Sequence, residues 1–167
     1  MKRVRRSIRT GEHFLQPYPL KSAVPKLVLA GLIACIVVYV GACAQAEIKP
    51  QNITENDVCF RCKAAIVDKH YAAELVTKDG FVRKFDDFGC MIKYATEKIG
   101  KGNVTAYYAM DFPSVQWVKA DEAFFVKSDK FQTPASGGIL AFKDQAKAQA
   151  LASQYQAQLV AFKDLIQ

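Results

Sequence analysis

The chain has little histidine: His13 and His70 are the only two in 167 residues. Apart from Cys59–Cys62 it has no C-x-x-C, and it has no H-x-x-x-H. The second ligand pair of a closed structural zinc site is therefore missing. No glycine-rich phosphate loop and no nucleophile–His–acid constellation is present, so nucleotide enzymes and hydrolases have no support. Charge is also scarce over most of the length. The formal net charge is +7, but Lys2, Arg3, Arg5, Arg6, Arg9, Lys21 and Lys26 against Glu12 place +6 of it in residues 1–42. From Cys43 onward only +1 remains, which is no electrostatic footprint for phosphates, and nucleic acid is set aside as a partner. What the chain does have is apolar: 51% hydrophobic and 11% aromatic residues exclude a disordered polymer. The length suits one domain or two very small ones.

The basic N-terminus precedes an uncharged run, Leu27 to Ala44. A positive flank followed by an apolar run is the pattern of a signal peptide or an inward-anchored span. The run closes in Val40-Gly41-Ala42-Cys43, an aliphatic residue and two small ones before a cysteine. That resembles a bacterial lipobox and makes Cys43 the candidate lipidation site. Ala42-Cys43-Ala44 also fits an ordinary cleavage site, and the run is long enough to stay as an uncleaved anchor. All three readings place the globular part in the cell envelope, outside the cytoplasm, and two of them tether it to the membrane. Residues 1–42 are accordingly the signal or anchor segment. The polar stretch 43–56, with Pro50 and no periodicity, is expected to be a tether.

The remainder predicts an α+β fold of two tandem ββαβ units, residues 57–112 and 113–167. Tyr71–Lys78 and Phe81–Phe85 are strand-like and are split by Asp79-Gly80, a strong hairpin signal. Asp86-Asp87 offers a helix cap. Phe88, Met91, Ile92, Ala95 and Ile99 then follow at amphipathic helical spacing, and Gly100 and Gly102 end the helix. Val104–Met110 reads as the next strand. The pattern recurs with strands Ala123–Lys127 and Gly138–Phe142, a helix capped by Asp144 and carrying Ala148, Leu151, Ala152 and Tyr155, and a closing strand Gln158–Phe162. Met110 reads as core, and Trp117, near Phe112 and Pro113, as core or inter-unit packing.

Five cysteines divide by position. Cys35 lies in the apolar run and reads as a small hydrophobe. Cys59, Cys62 and Cys90 belong to the exported part, and three cannot complete a disulfide framework. The Cys59/Cys62 spacing lets two sulfurs converge on one ion or close a tight disulfide. Redox catalysis is a third reading, weakened because the pair precedes strands rather than opening a helix. On ideal helix geometry Cys90 falls on the side away from the apolar stripe, in a first turn where the backbone dipole favours a thiolate. It is therefore the candidate third metal ligand. Met91 lies on the stripe and reads first as core, with a weaker ligand reading. His70, close behind the pair, is a solvated loop histidine or a weaker ligand. Soft sulfur donors in a tethered protein select Cu(I) over zinc.

These residues resemble the NosL family, lipoprotein accessory factors of nitrous oxide reductase. The resemblance rests on Asp57-Val58-Cys59-x-x-Cys62 with Ile66, Lys84-Phe85-Asp86-Asp87-Phe88-Gly89-Cys90-Met91, Val118-x-Ala120-x-Glu122-Ala123-Phe124-Phe125-Val126, and Thr133-Pro134-Ala135-Ser136-Gly137-Gly138-Ile139. It implies paired ββαβ units of the kind also found in organomercurial lyase. It also implies a copper chaperone that delivers Cu(I) for maturation of a copper enzyme such as nitrous oxide reductase, with that enzyme's assembly machinery as partner. The chain departs from the family at Lys63 and Ala64, where a Gly-Met follows the C-x-x-C, and at Ala135, where the T-P-M-G loop has its Met. Copper would then rest on Cys59, Cys62 and Cys90. A scaffold that binds partners without metal is the alternative, and a thiol-based redox or lyase-like enzyme a third reading. No catalytic residue is assigned.

Overall fold

The computed structural model describes residues 48–167. The apolar run, Cys35, Cys43 and the signal or anchor reading lie outside the described residues. Among the described residues no helix is long and apolar enough to cross a membrane.

Among the described residues seven strands form one sheet. In the first repeat β1 (Ala73–Thr77) and β2 (Val82–Phe85) make the expected hairpin, and the turn puts Gly80 at φ +84°, where a side chain is disfavoured. Helix α1 (Phe88–Tyr94) and β3 (Val104–Asp111) complete the unit. A short strand β4 (Gln116–Lys119) then folds back antiparallel onto β3. The second repeat consists of β5 (Phe124–Lys127), β6 (Ile139–Phe142), α2 (Gln145–Tyr155) and β7 (Gln158–Val160). A last helical turn, α3, spans Phe162–Leu165.

The strand order β2-β1-β3-β6-β5-β7 contains the same second–first–third arrangement twice, antiparallel within each repeat. The repeats meet where β3 runs parallel to β6 at Asp111 and Ala141. Phe112 N donates to Ala141 O at 2.8 Å, and the buried Asp111 carboxylate accepts from Lys143 N at 2.7 Å. The two ββαβ units therefore share a single sheet, and residues 48–167 belong to one compact unit.

The main core lies between the sheet and α1. Leu75, Phe85, Phe88, Met91 and Phe125 are buried there together, and the Phe88 and Phe125 rings, one from each repeat, sit 4.5 Å apart. Val126, Leu140 and Phe142 pack with Ala148 and Ala152 of α2. Asp144 caps α2 as its sequence indicates, accepting from Ala146 N and Lys147 N.

Four details differ from the sequence reading. The helix expected to run to Ile99 is α-helical only to Tyr94 and continues as a π-helical turn, Ala95–Ile99. The closing strand stops at Val160, because the chain turns helical at Phe162 and sends that ring onto Phe88 and Tyr107. Strand β4 was not anticipated, since four residues carry too little alternation to read. Finally, much of the segment expected as a tether is docked on the sheet. Ile53 is buried with Ile66, Ala72 and Met110. Gln51 N donates to both carboxylate oxygens of Glu74, Trp117 Nε1 donates to Gln51 O, and Lys84 Nζ donates to Asn52 O. Tyr108 Oη donates to Ile48 O. The backbone groups of this strap would otherwise need water, and side chains of the sheet satisfy them instead.

Candidate metal centre

The C-x-x-C lies in a tight loop closed by an antiparallel bridge between Val58 and Ala65. Cys59 N donates to Ala64 O at 2.7 Å, and Lys63 N donates to Cys59 O at 2.9 Å. The turn requires Lys63 to adopt φ +67°, the left-handed region. This is the position where the resemblance leads one to expect glycine. Phe60 secures the loop to the rest of the fold. Its N–H donates to Lys84 O on β2, its ring packs edge-on against Tyr94 of α1, and the Arg83 guanidinium lies 4.2 Å from the ring centroid.

The other side of the site is the junction of β2 and α1. Asp87 is the N-cap of α1, and its Oδ1 accepts from Cys90 N. Its Oδ2 accepts from Ala135 N at 3.3 Å, which holds the Thr133–Gly138 loop of the second repeat against α1. Contact there is close enough to require glycine on both sides. A Cβ added to Gly89 would stand 2.7 Å from Gly137 Cα, and one on Gly137 would collide with Asp87 Oδ1.

This packing explains Cys90, where the structure corrects the helical-wheel reading. Cys90 does point away from the stripe of Phe88 and Met91 in sequence terms, but it is 2% exposed rather than surface-facing. The C-x-x-C loop covers that side, so both faces of α1 are enclosed. Cys90 Sγ lies 3.5 Å from Cys59 Sγ, itself fully buried. The expected thiolate preference is also reversed. Burial, then the hydrogen bond and charge of Cys59, push the Cys90 thiol well above the ordinary range. Burial likewise pushes the Cys59 thiol up.

Cys62 is exposed, and its Sγ lies 3.5 Å from Asp86 Oδ2. Asp86, read from sequence as one of two possible helix caps, is not the cap. It is 3% exposed, and its Oδ1 is buried without a hydrogen-bond partner. Ligand atoms of Cys59, Cys62, Asp86 and Cys90 all lie within 4.8 Å of one another. None of the three cysteines is in a disulfide. The structure thus gathers the three cysteines singled out from sequence and adds a carboxylate that was missed. The available signal was the doublet itself, because a helix needs one capping acid and Asp86-Asp87 supplies two.

Of the two weaker candidates, His70 is not part of the cluster. His70 is exposed in a 3-10 turn at Lys69–Tyr71, with Nδ1 2.7 Å from Asp68 Oδ1 and its ring against Phe112. Met91 is fully buried in the main core, which fits its reading as packing. Ala135 packs against the same core from the loop of the second repeat.

The fold and site together define an α+β domain of twice-repeated ββαβ units that carries a thiol–carboxylate cluster able to hold a metal ion, opening through one exposed cysteine. The model of the NosL family matches residues 50–167, and the chain belongs to that family. Among solved structures, the crystal structure of the copper chaperone NosL from Shewanella denitrificans shares the fold, with a TM-score of 0.62 at 21% identity over 69% of this chain and 93% of that one. No curated protein sequence matches the chain.

Proposed function

We propose that this protein is a membrane-tethered, extracytoplasmic carrier of Cu(I), which it delivers during maturation of a copper enzyme such as nitrous oxide reductase. One observation carries this reading: three unpaired cysteine sulfurs converge at one place, two buried and one exposed. Thiolates are soft donors that favour Cu(I). The buried Cys59 and Cys90 retain the ion, and the exposed Cys62 is the sulfur that an incoming ligand on an acceptor protein can replace. A carrier needs both properties, since a fully enclosed site would hold its cargo against transfer. The family to which the chain belongs and the copper-chaperone neighbour of the same fold support the choice of metal. The protein acts without catalysing a reaction. Acylation of Cys43 or retention of the apolar run would keep it at the membrane, near the assembly machinery of the acceptor enzyme.

The raised thiol pKa values imply that protons leave as copper enters, so affinity rises with pH. The test is competition between the reduced protein and a Cu(I) chelator at two pH values, for the parent and for Cys59→Ser, Cys62→Ser and Cys90→Ser. One equivalent of Cu(I) is expected in the parent, with weaker binding in each variant. Absence of Cu(I) binding in the parent would refute the proposal and favour a scaffold.

A further inference from the structure

Asp86 has no role in a purely thiolate copper site. Its carboxylate is hard, and Cu(I) gains little from it. Yet Asp86 is 3% exposed and lies at the cluster, with Oδ2 near Cys62 Sγ and Oδ1 unpartnered. A buried carboxylate oxygen without a donor is costly unless something cationic meets it. No cation is hydrogen-bonded to that oxygen. Arg61 pairs with Glu97 and also interacts with Cys90, Lys84 pairs with Asp57, and the Arg83 guanidinium stacks on Phe60.

We infer that the cluster is also a four-coordinate site for a divalent ion of the zinc type, held by Cys59, Cys62, Cys90 and Asp86. The spacing of the donors suits this. A tetrahedron with Zn–S near 2.3 Å and Zn–O near 2.0 Å has S···S edges of about 3.8 Å and S···O edges of about 3.5 Å. The Cys59–Cys90 sulfurs are 3.5 Å apart, and Cys62 Sγ lies 3.5 Å from Asp86 Oδ2. The whole donor set fits within 4.8 Å. Little side-chain movement therefore separates the metal-free arrangement from a closed S3O shell. Entry of the ion converts three thiols to thiolates with release of three protons, and Asp86 supplies the fourth bond. The sequence has no second ligand pair for such a site; the fold supplies the missing ligands from the β2–α1 junction instead. Asp86 thereby gives the site a donor that distinguishes a divalent borderline ion from Cu(I). The two ions compete for the same three sulfurs, so this inference shares those ligands with the copper proposal but stands separately on Asp86.

The experiment uses the full chain, reduced and anaerobic, titrated with Co2+ as a spectroscopic probe and then with Zn2+. One equivalent of Co2+ should produce the intense visible d–d bands of a tetrahedral thiolate site together with a thiolate-to-cobalt charge-transfer band, and Zn2+ should abolish both. Asp86→Asn should weaken Co2+ binding by about tenfold or more and alter the d–d bands. The same variant should leave Cu(I) affinity within about threefold of the parent. Asp86→Cys, which keeps a ligand at the position, should retain tetrahedral binding with a stronger charge-transfer band, and it provides the test if the Asn variant does not fold. Absence of tetrahedral bands in the parent would overturn the inference, as would identical Co2+ spectra and affinities for the parent and Asp86→Asn. Loss of Cu(I) binding alone would refute the carrier proposal and leave this one intact.

Discussion

Glu74 offers a direct test of how the strap at residues 48–57 is held to the sheet. It is the second residue of β1, fully buried, and both of its carboxylate oxygens face Gln51 N. Lys84, the cation that acts on it, is bonded to Asn52 O and Asp57 instead. Burial therefore dominates and pushes the Glu74 carboxyl from its ordinary 4.5 up to about 7. The folded state binds the proton more tightly than the unfolded chain between these two values. Stability consequently falls as pH rises through the window, and the loss is complete above the folded pKa. A shift of this size corresponds to at most about 3 kcal/mol between pH 4.5 and 7.5. Glu74→Gln keeps an acceptor for Gln51 N and removes the charge. Its added amide group costs about 1 kcal/mol if it finds no partner. The variant should be close to the parent in stability at pH 4.5 and more stable by about 1–3 kcal/mol at pH 7.5. Urea unfolding of the reduced proteins at several pH values measures this, and the difference between the two curves isolates Glu74 from the other titrating groups. Parallel pH dependences for parent and variant would refute the reasoning.

Lys63→Gly should raise stability by about 0.5–1 kcal/mol, because φ +67° strains a side chain and suits glycine; an unchanged urea midpoint would show that the loop relaxes at no cost. Gly89→Ala should lower stability by about 1–3 kcal/mol, since the new methyl meets Gly137 Cα where both sides are backbone. The same substitution should weaken Cu(I) binding, because it displaces the turn that carries Cys90, and the chelator competition reads this directly. A stable Gly89→Ala protein with parental Cu(I) affinity would mean that the loop of the second repeat does not brace the site.

Local signals were enough for the ββαβ repeat, because Asp79-Gly80, the stripe from Phe88 to Ala95 and the Asp144 cap act over only a few residues. The convergence of Cys59 and Cys62 was equally local, since two residues between them leave the sulfurs little room to diverge. Tertiary structure decided what depends on contacts between distant segments. A helical wheel has one partner face, so Cys90 read as facing outward; two different segments enclose α1, and Cys90 meets Cys59 across 31 positions of sequence. Which of Asp86 and Asp87 caps the helix depends on backbone angles at the end of β2, and that choice sends Asp86 into the cluster. His70, nearer to the C-x-x-C in sequence than Cys90 is, turns instead toward Asp68 and Phe112. The docking of residues 48–57 has no periodic signature, because it is held by backbone groups bonded to Glu74, Lys84 and Trp117, and backbone groups are the same in every sequence.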